Sequence, residues 1–364
     1  DKFREHYEQE FRDLGEAPLI NLRGIINETA YTGEAVKDDS QDFLLWKQRF
    51  ALPQRQDGLF AVLVPIPLGN LPNRQALKLA ELLIPFGENV LRCTKEQNLS
   101  LRNIPEECLG NIYSVVKGFS DLSQAPRFYS NSVACTGAST CKLGICLPRG
   151  ALLAIHRKLR PLKMDLDGLK DFRLNISGCP NTCGAHMTAD LGFSGQVARK
   201  GQRMYPSYSI VAGARVDADD PRLAVRIDTI SSRDLPDFVY DFLNLYLGKK
   251  DRYRDMAHYI DGEGFEDIKD ICDKYRDVPD FQEDRNYYFD WGAEEVFSLA
   301  GKGVGECSAG LFDLIDVDLK AIKERQRELK AGQDPATTIE ILYQITLSAA
   351  RMLLITRGME ASSD

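Results

Sequence analysis

Five of the nine cysteines fall between residues 135 and 183, and their spacing is the feature of this sequence most able to do chemistry. Five residues separate Cys135 from Cys141, three separate Cys179 from Cys183, and 37 lie between the two pairs. Four thiolates on two loops can hold a metal. Structural zinc prefers about two to four residues between paired ligands, because one turn must aim both sulfurs at one ion. The wider first gap suits a larger object such as an iron–sulfur cube, and Gly137, Gly178 and Gly184 would let backbone approach inorganic sulfide. On spacing alone, a cluster, a zinc site and unligated core thiols all remain open. Cys146 follows five residues after Cys141 and reads as a core thiol, while the scattered Cys93, Cys108, Cys272 and Cys307 read as small buried hydrophobes. An odd count in a long chain without a secretory signal argues against a disulfide framework.

These loops need a scaffold, and the apolar pattern supplies one. Residues 59–64 read as a buried strand, 74–86 as a helix, 89–93 and 98–102 as strands, and the Pro105-Glu106-Glu107 stretch as the start of another helix. This order suggests a small ferredoxin-like α+β unit. Around the cysteines, a helix at 150–159, strands at 172–176, 192–197, 208–211 and 224–227, and a helix at 235–247 describe a second α/β unit. The first fifty residues suggest a strand or two with irregular wrapping, and the charged stretch 248–285 suggests a solvated linker with surface helices. Gly301-Lys302-Gly303-Val304-Gly305 lacks the Lys-Ser or Lys-Thr helix start of a phosphate loop and reads as a turn. Helices at 311–331 and 336–355 form a hairpin.

The composition bounds the function. With 364 residues, 43% hydrophobic and 27% charged, the chain is long enough for two or three domains, and its net charge of −8 argues against a general nucleic-acid binder. The longest apolar run, 339–355, is broken by Glu340, Gln344 and Arg351, so no membrane helix is expected. The chain opens on Asp1 with no leader, and its last apolar helix stops near its end, as expected of a piece of a longer polypeptide.

The local sequence around the cysteines narrows the chemistry. Asn175-Ile176-Ser177-Gly178-Cys179-Pro180-Asn181-Thr182-Cys183-Gly184, with Ala134-Cys135-Thr136-Gly137, resembles the cluster motifs of the sirohaem-dependent nitrite and sulfite reductases. The stretch from Phe50 through Pro53 to Gly58, together with Thr94-Lys95-Glu96-Gln97-Asn98, is similar to the ferredoxin-like half-domain that precedes the cluster domain in that family. The likeness covers residues 50–247. It implies a 4Fe-4S cluster on Cys135, Cys141, Cys179 and Cys183, with Cys183 bridging to the iron of sirohaem and Asn181 close to the macrocycle. It also implies six-electron reduction of nitrite to ammonia or of sulfite to sulfide.

The resemblance extends to one half only of an enzyme that ordinarily has two pseudo-repeated halves. Where the first half carries an Arg, this chain has Glu96-Gln97, so Glu96 is expected to be structural or peripheral to the cofactor, and the catalytic residues are not assigned. Lys142, Arg149, Arg157, Lys158, Arg160 and Lys163 form a basic run that reads as a solvated face or donor-docking surface, or alternatively as contacts to cofactor carboxylates. His186 reads as a satisfied loop histidine, with a role near the macrocycle as the rival. The region from Asp290-Trp291-Gly292 to the hairpin is similar to the helical tail of some bacterial members, which resembles HEPN modules.

The expected architecture is α+β: an N-terminal wrapping segment at 1–49, a half-domain at 50–118, a cluster domain at 119–248, a charged linker and Gly-rich turn at 249–310, and a truncated helical hairpin at 311–364. The expected protein is a cytoplasmic reductase half. It would take electrons from ferredoxin or a flavoprotein and complete its oxyanion pocket with a missing N-terminal half or partner chain, with no nucleic-acid or membrane partner. The alternative is an iron–sulfur electron-transfer or pseudo-catalytic scaffold subunit.

Overall fold

The computed structural model describes residues 2–13, 31, 33–87, 89–216, 220–299, 309–332 and 334–355. The chain forms two compact units, residues 1–65 with 70–124, and residues 66–69 with 125–364.

In the first unit, α1 (Lys2–Asp13) and α2 (Gln41–Phe50) are helices in a stretch expected to hold a strand or two with irregular wrapping, and the apolar piece 19–22 that suggested a strand lies outside the described residues. The sequence of α2 explains this: Ser40 caps it by accepting from the Phe43 N–H, and Phe43, Trp46 and Phe50 fall on one buried face at helical spacing. There follow β1 (Ala51–Pro53), β2 (Leu59–Val64), α3 (Asn73–Leu83), β3 (Leu91–Cys93), β4 (Leu99–Pro105) and α4 (Leu109–Val116). The strands make an antiparallel sheet in the order β1-β2-β4-β3. Its core holds Val62, Val64, Leu101 and Ile104 with Leu109, Ile112 and Val116 of α4. Pro105 ends β4 and also caps the helical turn that follows, close to the helix start expected there. Because a proline cannot donate to a ladder, it sits at a strand end, and a single 3-10 turn over Glu106–Cys108 leads into α4.

The second unit continues with α5 (Arg127–Asn131), β5 (Val133–Ala134), α6 (Pro148–Leu159), β6 (Leu174–Ser177), β7 (Leu191–Lys200), β8 (Arg203–Ala212), β9 (Val225–Ser231) and α7 (Leu235–Leu247). The five strands form one mixed sheet in sequence order, parallel from β5 to β7 and antiparallel from β7 to β9. β6 is buried along its whole length, as its run Leu174-Asn175-Ile176-Ser177 between two parallel neighbours requires. α6 buries Ala151, Leu152, Ile155 and Leu159, and α7 stacks Phe238, Phe242 and Tyr246 one turn apart.

The charged stretch after α7 is packed rather than solvated. α8 (Met256–Tyr259) continues through a π-turn over Ile260–Gly264 into α9 (Phe265–Lys274), which buries Ile268, Ile271 and Cys272. Its acids are consumed locally: Lys249 bridges Glu263 at 2.7 Å and Asp267 at 2.6 Å. The last described elements, α10 (Ala309–Lys330) and α11 (Pro335–Ile355), form the expected hairpin, with Asp334 accepting from the Ala336 and Thr337 N–H groups at the start of α11. Of the Gly-rich turn expected at 301–310, residues 301–308, Cys307 among them, lie outside the described residues, while Ala309 and Gly310 already belong to α10. No described helix is long and apolar enough to cross a membrane.

Candidate cluster site

Cys135 follows the last residue of β5, and Cys179 stands two residues beyond the end of β6. Since β5 and β6 are parallel neighbours, both cysteine loops leave the sheet at the same carboxyl edge, where ligands gather in sheets of this kind. The loops are then tied together by backbone. The Ile145 and Cys146 N–H groups both donate to the Gly178 carbonyl at 2.9 Å, and the Cys135 N–H donates to the Ile176 carbonyl at 3.1 Å. A Cβ on Gly178 would lie 2.7 Å from the Gly137 Cα and 2.9 Å from the Cys146 oxygen, so this contact admits only glycine.

Gly178 also donates its N–H to the Cys135 Sγ at 3.1 Å. Burial pushes the Cys135 thiol up, against the lowering effect of that bond, and burial likewise pushes Cys179 up. Cys179 feels the charges of Cys135, Cys183 and Cys141, so the four sulfurs converge on one region. Among the described residues, no three His, Cys, Asp or Glu side chains come together as they would around one ion. Cys135, Cys141 and Cys179 are half-buried and Cys183 is exposed.

The second loop is held in an unusual shape. Thr182 and Ala185, on either side of Cys183-Gly184, have φ of +61° and +56°, a region that costs a side-chain-bearing residue about 1–2 kcal/mol. The shape is retained because the Ala185 N–H donates to the Thr182 carbonyl at 2.7 Å and the Asn175 side chain donates to the Ala185 carbonyl at 2.9 Å. Beneath the loop, Ser177 Oγ accepts from the Gly184 N–H at 3.0 Å and pairs with His186 Nδ1 at 2.8 Å. His186 is buried, and burial pushes it down to about 4. It is thus a neutral, hydrogen-bonded loop histidine. Asn181 is half-buried on the same loop.

The remaining candidates separate. Cys146 is a buried core thiol, as expected, within 3.6 Å of the Gln196 carbonyl and 3.5 Å of that of Ser207. Cys108 and Cys272 are buried, but Cys93, expected inside, is exposed at the end of the short strand β3. Glu96 lies 3.7 Å from Lys95, in the other unit. Of the basic run, Lys158 pairs with Asp237 and Arg160 lies over the Tyr129 ring. Arg157 and Lys158 border a cavity of about 360 Å³ that none of Cys135, Cys141, Cys179 and Cys183 lines. Arg149, on the first turn of α6, buries an Nε without a hydrogen-bond partner.

Two residues escaped sequence reasoning. Asp290 accepts from the Leu147 N–H at 2.5 Å across 143 positions, and Tyr208, fully buried on β8, feels the charges of Asp290, Cys146 and Cys135. No local pattern announces a contact of that range.

The nitrite/sulfite reductase ferredoxin-like half domain matches residues 52–117, and the nitrite and sulphite reductase 4Fe-4S domain matches residues 128–279. The chain belongs to the nitrite and sulfite reductase family. Among relatives of this family, the ferredoxin–nitrite reductase of Synechococcus elongatus is 29% identical over 235 residues, 63% of this chain and 44% of the relative. A sulfite reductase [ferredoxin] 2 of Mycolicibacterium paratuberculosis is 30% identical over 151 residues, 40% of this chain and 27% of the relative. The Mycobacterium tuberculosis NirA protein shares the fold, with a TM-score of 0.51 and 21% identity over 65% of this chain and 42% of that one. The chain thus spans less than half the length of these relatives. Nitrite and sulfite reductases carry a 4Fe-4S cluster and sirohaem, and the donor set fits the cluster: four thiols on two loops at one sheet edge, with a backbone N–H already aimed at one sulfur.

Proposed function

We propose that this chain is the cluster- and sirohaem-bearing half of a reductase that converts sulfite to sulfide or nitrite to ammonia in six one-electron steps. The observation that carries this reading is the meeting of the two thiol loops at the carboxyl edge of β5 and β6, locked by the Gly178 backbone. Four thiols meet on two loops, and the five-residue gap between Cys135 and Cys141 favours an object larger than zinc.

In this reading Cys135, Cys141, Cys179 and Cys183 hold the cube. Cys183, the exposed thiol, would serve the sirohaem as well as the cube, and Asn181 on the same loop would face the macrocycle. When bound, the two groups supply one-electron storage and an iron at which an oxyanion is reduced. The chain's own residues hold and tune that pair. The Gly178 N–H stabilises negative charge on the Cys135 sulfur, and the half-buried setting of three of the four thiols limits water at the cluster. Arg149 offers its free Nε–H to an anionic group such as a sirohaem carboxylate.

The half-domain at 50–118 and the cluster domain at 119–248 are the working parts, and the substrate pocket is completed by the missing half or a partner chain. The names of the relatives favour ferredoxin as electron donor. The cytoplasm, which keeps thiols reduced, is the fitting compartment.

The test is anaerobic purification followed by visible spectroscopy and assay of iron and acid-labile sulfide. Sirohaem bands with about five irons and four sulfides indicate a self-sufficient redox centre. About four irons without haem bands indicate that the cube is held here and that sirohaem requires the rest of the enzyme. A preparation that stays colourless after anaerobic reconstitution overturns the proposal.

A further inference from the structure

Residues 284–297, beyond the cluster loops in sequence, return to the back of the first one. Tyr287 donates to Asp234 at 2.8 Å, Trp291 Nε1 donates to the Ser232 carbonyl at 2.6 Å, and the Phe297 N–H donates to the Tyr288 carbonyl at 2.7 Å. The Trp291 carbonyl lies where a side chain on Gly150 would begin, 1.8 Å from an ideal Cβ, so this segment is seated directly on the first turn of α6. At its centre stands Asp290, only 5% exposed.

Three donors close on the Asp290 carboxylate. One oxygen accepts from the Leu147 N–H at 2.5 Å, and the other accepts from Ser232 Oγ at 2.6 Å and from the Trp291 N–H at 2.8 Å. Such a shell suits an ionised carboxylate. Leu147 is the cap residue of α6 and the immediate neighbour of Cys146, so the charge is delivered to the positive end of the helix at the exit of the first cysteine loop. From there the ties run to the thiols. The Cys146 N–H is bound to the Gly178 carbonyl, the Cys146 carbonyl accepts from the Ala138 N–H inside the Cys135 loop, and Gly178 donates to the Cys135 sulfur.

We propose that Asp290 is a positioning residue for the cluster: through Leu147 it clamps the exit of the first cysteine loop, and its fixed negative charge holds down the reduction potential of the cube. The inference rests on the cluster reading above and adds a part to it from outside the cysteine motifs. It assigns residues 284–297 a task in the redox site rather than that of a linker.

The experiment compares wild type with Asp290→Asn, which keeps the shape and removes the charge, in protein carrying its cluster. Two quantities are read: the rate of cluster loss to a chelator, followed by visible absorption, and the midpoint potential, followed by electron paramagnetic resonance. Loss is expected to accelerate roughly ten-fold, the size of one charge-assisted hydrogen bond, and the potential to rise. Unchanged loss and potential overturn the proposal, as does a loss of cluster that only tracks unfolding by far-ultraviolet circular dichroism. If Asp290→Asn does not accumulate, Ser232→Ala removes one donor and leaves the charge. Faster cluster loss at unchanged secondary structure then supports the clamp, and unchanged loss overturns it. Failure of the wild type to hold any cluster would instead count against the cluster reading itself.

Discussion

The cysteines and the histidine beneath them respond to different variables. Replacing Cys179 with Ser removes one corner of the donor set, and bound iron and labile sulfide should fall to a small fraction of wild type after anaerobic reconstitution. A retained full complement would mean that the cluster is held elsewhere. His186 answers to pH. Its folded value is about 4 against an ordinary 6.5, so the neutral ring is the native form. Above pH 6.5 both folded and unfolded chains carry it neutral, and nothing is lost. As pH falls from 6.5 towards 4, the unfolded chain takes the proton first, and stability drops by an amount on the order of 3 kcal/mol. Urea unfolding of the metal-free chain at pH 7 and pH 4.5 should therefore show a larger acid loss in wild type than in His186→Gln. Equal losses would remove the histidine from the account. The four cysteines proposed to hold the cluster stood out in the sequence because the members of each pair are close together in a distinctive loop, Cys135 with Cys141 and Cys179 with Cys183. Asp290 did not, because its meaning lies in a contact with Leu147 that no stretch of sequence contains.

At the level of elements, the loops keep their register through backbone that has no room to give. Gly178→Ala would drive a methyl against the Gly137 Cα and the Cys146 carbonyl, both main-chain atoms. The cost should be roughly 1–3 kcal/mol, read as a lower urea midpoint, together with weaker cluster retention; an unchanged midpoint would show that the two loops are not packed as described. Elements with a strong internal period were readable in advance: β2 at Leu59–Val64 and α7 at Leu235–Leu247 stand where their apolar residues put them. The misreadings have physical causes. α2 was hidden because aromatic residues suit strand and helix alike until Ser40 is recognised as a cap. The stretch containing α9 looked solvated because its charges, such as Lys249 with Glu263 and Asp267, are satisfied by one another rather than by water.

Across the whole molecule, the α+β character and the order of half-domain, cluster domain and helical hairpin followed from pattern and family likeness. How the hairpin attaches did not. α10 carries Asp318, only 2% exposed, between Arg199 on β7 at 3.9 Å and Arg351 on α11 at 3.5 Å. One carboxylate thus joins the sheet of the cluster domain to both helices. The hairpin has other adhesion, but an acid buried between two arginines gives it a fixed seat, and removing one member of such a group leaves the others desolvated and uncompensated. Asp318→Ala should cost about 3 kcal/mol and loosen the hairpin from β7 while the cysteine loops, tied to each other through the Gly178 backbone at the ends of β5 and β6, keep their geometry. Limited proteolysis separates the two effects. Cleavage within residues 309–355 should accelerate while the cluster absorption of the remaining protein holds. Loss of cluster in step with that cleavage would mean that the hairpin and the redox site form one cooperative unit rather than two.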